Sequence, residues 1–143
     1  MQPIDQNQPN IDARYRTLLT LWAAMFLSVL SFLLFINLSP VKPVENARLS
    51  LILNLAGMAP VAMSFLLKIR ILQKSLETRR LELVQTAYVV AFALCEMAAI
   101  LGLMSRYLTG SKDYYIGLGL GLFGIFLHLP RKKYLLAAGD KEF

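Results

Sequence analysis

Polar and apolar positions in this chain fall into blocks rather than alternating. A polar opening, residues 1–11, rich in Gln, Asn and Pro, leads into four apolar stretches at about 17–38, 49–67, 83–105 and 114–129. Neither strict alternation nor a narrow helical stripe organises them, so half-buried strands and ordinary surface helices are poor descriptions. Apolar runs of about 18 residues or more read as membrane helices, because at about 1.5 Å per residue they cross a hydrocarbon core of about 30 Å. The first three stretches meet that length. The fourth is shorter and glycine-rich, and reaches across only with snorkelling by Arg131, Lys132 and Lys133 and local bilayer thinning. The expected fold class is all-α: a polytopic membrane protein with four transmembrane helices. A polar tail (1–16) precedes them and a basic tail (130–143) follows.

Local signals refine this outline. The first stretch is longer than a signal-peptide core, and "INLSPVKP" has no small-x-small cleavage site, so it reads as a retained helix. Between the second and third stretches, "KIRILQKSLETRRLELVQ" contains no Gly or Pro. This predicts that both helices project past the membrane and turn near Lys74–Ser75, with Ser75 as N-cap and Glu77 in the following first turn. After Pro130, "RKKYLLAAGD" predicts a short interfacial helix stopped at Gly139.

Composition agrees with a membrane setting. The 143 residues are 57% apolar with a mean hydropathy of +0.54, above the roughly 45–50% apolar share of soluble domains. The net charge of +6 acts mainly as a threading signal. With four spans, the N-tail (Arg14, Arg16), the second loop (Lys68, Arg70, Lys74, Arg79, Arg80) and the C-tail (Arg131, Lys132, Lys133, Lys141) share one side. Only Lys42, Arg48, Arg106 and Lys112 fall on the other. The positive-inside rule then puts both termini in the cytoplasm of a bacterial inner membrane. Tyr15, Trp22 and Tyr134 fall near that interface, and Tyr107, Tyr114 and Tyr115 near the opposite one. No aromatic-interleaved basic face is present, so nucleic acid is not an expected partner. The expected partners are the lipid bilayer and a larger membrane complex or a second copy of the chain.

Candidate chemistry is sparse. One cysteine and one histidine, Cys95 and His128, allow no internal disulfide and too few ligands for a His/Cys metal site. No cofactor or metal is expected, and a catalytic triad is poorly served. The exception is Glu96, a single acid inside "AFALCEMAAILGL". A charge at that depth costs on the order of 3 kcal/mol, so the sequence predicts a neutral, protonated carboxyl. Ala87, Ala91, Cys95, Ala98 and Gly102 form a small-residue stripe on another face of the same helix, suited to close helix packing. Gly117, Gly121 and Gly124 make a similar stripe in the fourth helix, read as bundle packing ahead of a dimer face. Depth estimates suggest Ser31 and the Ala56 carbonyl, freed by Pro60, as hydrogen-bond partners for Glu96, with Asn54 nearer the outer face. His128 reads as a plain interfacial residue and Cys95 as a packing residue.

The run Ala93, Leu94, Glu96, Ile100, Gly102, Leu103 has the form A-L-x-E-x-x-x-I-x-G-L. It resembles the second helix of the proteolipid (c) subunit of rotary ATP synthases, closely over residues 84–104 and loosely over 49–108. The resemblance implies a helical hairpin with a basic cytoplasmic loop and Glu96 as the ion-carrying group. The family's alternating glycines lie in its first hairpin helix. Here the second stretch has Gly57 and Pro60, and the alternating glycines, Gly117, Gly119 and Gly121, stand in the fourth. Two function classes follow. One is a non-enzymatic structural or accessory subunit in which Glu96 is hydrogen-bonded glue. The other is a proton- or sodium-coupled carrier in which Glu96 exchanges its ion.

Overall fold

The computed structural model describes residues 11–39 and 46–139. They form five helices and no strand: α1 (Ile11–Leu38), α2 (Ala47–Thr78), α3 (Leu81–Thr109), α4 (Tyr114–Leu127) and α5 (Lys132–Gly139). Residues 1–10 of the polar tail expected over 1–16, most of the first loop with Lys42, and the end of the basic tail with Lys141 lie outside the described residues. Helices α1, α2 and α3 are long and apolar enough to cross a membrane; α4, at 14 residues, is a shorter apolar helix.

α1, α2 and α3 overrun the apolar stretches that announce them, because helix length and apolar length answer to different forces, whereas α4 stops at Leu127, short of the expected 129. α1 begins at Ile11 rather than near Thr17. Ile11, Tyr15 and Leu18 recur at helical spacing and pack on a cluster containing Val84, Tyr88, Leu135 and Ala138. Asp12 in the first turn pairs with Lys132 of α5. That hydrogen bond, with the Lys132 charge, holds the exposed Asp12 carboxyl below its ordinary value of 3.8. The pair is therefore intact above about pH 4 and is lost as pH falls through the lowered value.

The expected turn at Lys74–Ser75 is one helical turn too early. With no Gly or Pro after Pro60, α2 runs on to Thr78 and turns at Arg79, which adopts the left-handed conformation (φ 51°). The backbone N–H groups of Arg79 and Arg80 both turn back to the Ser75 carbonyl. The Ser75 hydroxyl donates to the Arg80 carbonyl at 2.7 Å. Ser75 thus closes the end of α2 instead of capping the start of α3. At the other end of α2, the Asn46 side chain accepts the Leu49 N–H at 3.1 Å, and the helix continues through Pro60.

α3 is the axis: each of the other four helices packs on it, while the backbones of α1 and α2, neighbours in sequence, stay apart among the described residues. Arg14–Gln85, Ser28–Glu96 and Phe35–Tyr107 contacts show α1 running parallel to α3. α2 runs antiparallel to it, from Ser50 beside Ser105 through Gly57 over Ala98 to Lys68 over Tyr88. The stripe Ala87, Ala91, Cys95, Ala98 and Gly102 is buried, as are Gly117, Gly121 and Gly124 of α4. A Cβ at Gly102 would lie 2.8 Å from the Leu118 nitrogen, and one at Gly117 would lie 2.7 Å from the Gly102 Cα. These are backbone atoms of the facing helix, so no side chain can swing aside. The outward faces are apolar, with Leu34 of α1 at 67% and Phe123 of α4 at 60% exposure.

Gly102→Ala or Gly117→Ala should force α4 off α3 and lower stability by about 1–3 kcal/mol, the usual cost of overpacking. Gly119→Ala is the control: a Cβ there meets nothing within 4 Å, and helix propensity favours alanine by about 0.5–1 kcal/mol. Thermal unfolding in detergent should separate the two kinds of variant; equal shifts would mean that the seam is loose.

Candidate functional site

Two polar places stand inside the bundle. The first is Glu96. It is half-buried on α3, away from the small-residue stripe, and turned toward α1. The Ser28 hydroxyl donates to Glu96 Oε1 at 2.8 Å. Ser31, the partner expected from depth, is exposed and donates instead to the Ser28 carbonyl of its own helix at 2.6 Å. Ser28 and Ser31 lie three positions apart on one face, so a depth estimate separates them by only about 4.5 Å, less than the uncertainty in where a helix sits.

The other expected partners lie elsewhere. Asn54 donates to the Ser50 carbonyl at 3.0 Å, and its buried Oδ1 has no partner among the described residues. It belongs to the far end of the bundle, where the Ser50 and Ser105 hydroxyls are 3.0 Å apart. Ala56 is exposed on α2, whereas Glu96 finds its partner on α1.

The second place was not anticipated. His128, expected at an interface, is 1% exposed at the end of α4. Its Nε2 is 2.8 Å from the Ser64 hydroxyl and its Nδ1 is 3.3 Å from the Lys68 ammonium. An ammonium can only donate, so Nδ1 is the acceptor and the ring proton sits on Nε2. Nε2–H then donates to Ser64 Oγ, and Ser64 donates in turn to the Val61 carbonyl at 2.6 Å. The buried Cys95 thiol donates weakly to the same Ser64 oxygen at 3.6 Å. Lys68 also lies 4.3 Å from the centre of the Tyr88 ring, and the Tyr88 hydroxyl accepts the Arg131 backbone N–H at 3.1 Å. Three helices and the α4–α5 connection thus meet in one chain of donors and acceptors.

The arrangement resembles a nucleophile–base pair only superficially. A catalytic histidine is oriented by an acceptor, commonly a carboxylate; here its other nitrogen faces a cation. Ser64 has its one proton committed to a backbone carbonyl. The geometry suits positioning of Lys68, not activation of a nucleophile. Among the described residues, no three His, Cys, Asp or Glu side chains gather as a metal site.

Sequence gave little warning of this network. Ser64 and Lys68 are one turn apart on α2, an ordinary helical spacing, and His128 is more than fifty residues away. The one usable signal was Lys68, the first charge after the second apolar stretch.

Comparison with known proteins supplies no relative: no protein-family model matches the chain, no curated protein matches it, and no solved structure matches its fold. The residues themselves therefore carry the functional reading.

Ser64→Ala removes the acceptor of the His128 Nε2–H and leaves that buried group unsatisfied, which should cost about 1–3 kcal/mol. Thermal unfolding in detergent measures it. An unchanged midpoint would mean that His128 does not depend on Ser64.

Proposed function

We propose that this chain is a four-span integral membrane protein of the cell inner membrane with both termini cytoplasmic. We propose further that it is a non-enzymatic structural or accessory subunit in which a neutral Glu96 joins helices. The observation that carries this reading is the Ser28–Glu96 hydrogen bond, which ties α1 to α3 away from the close-packed seam. Interhelical bonds of this kind hold membrane bundles where lipid supplies no hydrophobic drive between helices.

The fourth crossing draws support from the length of α3 that the last segment follows. At one end the Arg106 guanidinium lies over the Tyr114 ring, 5.4 Å from its centre. At the other, Arg131 reaches Tyr88. Between Tyr88 and Arg106, α3 rises about 27 Å, close to the hydrocarbon thickness of about 30 Å. The chain covers that span because α4 loosens at its end: the Leu129 N–H bonds the Phe126 carbonyl in a three-residue turn, which rises faster per residue than an α-helix. The distribution of basic residues supports the sidedness, as set out for the sequence.

A second reading keeps Glu96 as an exchanging site in a proton- or sodium-coupled carrier, the role that the c-subunit resemblance implies. It is favoured by the half-buried position of Glu96 and by Ser28 being its one hydrogen-bond partner among the described residues.

Glu96→Gln separates the two. As glue, the amide still accepts from Ser28, so stability and membrane accumulation stay at wild-type level, whereas Ser28→Ala costs about 1 kcal/mol. Any carbodiimide labelling of wild-type Glu96 in native membranes is then unaffected by sodium. Labelling that sodium blocks, together with loss of ion flux in Glu96→Gln vesicles, would replace the structural reading with the carrier.

A further inference from the structure

Beside the His128 network a pocket of about 200 Å³ opens between α2, the end of α4 and α5. Its polar lining is two cations, Lys68 and Arg131, with the neutral His128 ring and Tyr134. Its walls include the apolar side chains of Phe65, Ile69 and Leu127. Two positive side chains share this small volume without a negative one. Among the described residues the one ion pair is Lys132 with Asp12, which does not involve the pocket.

Lys68 is held by its side chain and Arg131 by its backbone, and both keep side-chain donors free. Lys68 spends one N–H on His128 and rests against the Tyr88 ring. Arg131 is anchored through its backbone N–H to Tyr88, and its exposed guanidinium takes part in no hydrogen bond or ion pair among the described residues. Lone like charges kept side by side repel, and an anion between them reverses the sign of that term. A guanidinium fork and an ammonium are the pair of groups suited to phosphate oxygens.

We propose that this pocket binds a phosphate ester, supplied by the headgroup of an anionic phospholipid, with Lys68 and Arg131 as its ligands. Size and surroundings point to a lipid over a soluble phosphate. The volume is below the roughly 300–1,000 Å³ of pockets that enclose a whole drug-sized molecule, so it takes a headgroup and leaves acyl chains outside. Ile69 and Leu127, exposed apolar residues of its wall, receive them. The site stands where the apolar stretches of α2 and α4 give way to basic residues, the level at which phosphates lie, and basic recesses between helices suit such headgroups. The inference rests on the membrane reading above, but not on which side the pocket faces or on the role of Glu96.

Native mass spectrometry of the full chain in mild detergent tests it. Phosphatidylglycerol and phosphatidylcholine of identical acyl chains are added separately, and inorganic phosphate is added as competitor. Wild-type protein should retain phosphatidylglycerol about tenfold over phosphatidylcholine. Lys68→Gln/Arg131→Gln should abolish the preference, and Arg131→Gln alone, at an exposed position, should weaken it severalfold without affecting folding. Arg70→Gln/Lys74→Gln, which removes equal charge from α2 outside the pocket, should leave it intact. Equal retention of the two lipids, or a preference that survives the pocket variants, overturns the proposal. Displacement of the lipid by millimolar inorganic phosphate overturns the lipid source in favour of a soluble phosphate. Recovery of the protein as a monodisperse species without detergent would instead overturn the membrane reading itself.

Discussion

At the crossing of Gly102 with Gly117, α3 and α4 meet backbone to backbone, and the placement of the whole of α4 and of the polar network at its end follows from that approach. A side chain at either residue would collide with peptide atoms of the facing helix. Because the gap is so small, α4 lies directly against the α3 stripe, with Gly121 over Ala99 and Gly124 over Cys95. That placement carries His128 and Arg131 to the level of Ser64, Lys68 and Tyr88. The polar network at that end is thus a consequence of glycines well over ten ångströms away along the helix axis, by the roughly 1.5 Å rise per residue.

α1 is held differently. It has no glycine seam, and its contacts with the bundle are punctuated by single polar ties along its length. Arg14 donates to Gln85, the Trp22 indole donates to the Ile125 carbonyl at 2.9 Å, and Ser28 donates to Glu96. Leu18 is buried between the first two ties, and Val29 and Ile36 are buried beyond the third. Bonds spaced in this way set the register of a helix that apolar packing alone would leave free to slide, since leucine against leucine and leucine against lipid are nearly equivalent. Glu96 fits that role as one tie among several.

The two polar places also differ in what they leave open. Glu96 meets a hydroxyl and an apolar surround. The Lys68 end gathers positive charge around a recess, with His128 held as an acceptor and Tyr88 as a platform. One arrangement joins helices; the other keeps side-chain donors at the edge of a recess.

Much was legible in the sequence because it depends on composition along a single segment. Blocks of apolar residues predict helices, and the three longest have the length and apolarity to cross a membrane. The small residues of α3 and the glycines of α4 marked faces for close packing before any coordinates, since only residues without bulk permit it. Helix ends were less legible. Ser75 looks like a cap in isolation, but whether it opens one helix or closes another depends on where the chain next finds a left-handed turn, at Arg79. Tertiary structure alone decided the partners: Ser28 over Ser31 for Glu96, and Ser64 with Lys68 for His128. The physical reason is that a hydrogen bond is decided by positions within about an ångström across helices far apart in sequence, whereas apolar blocks specify a helix's depth only to within a turn.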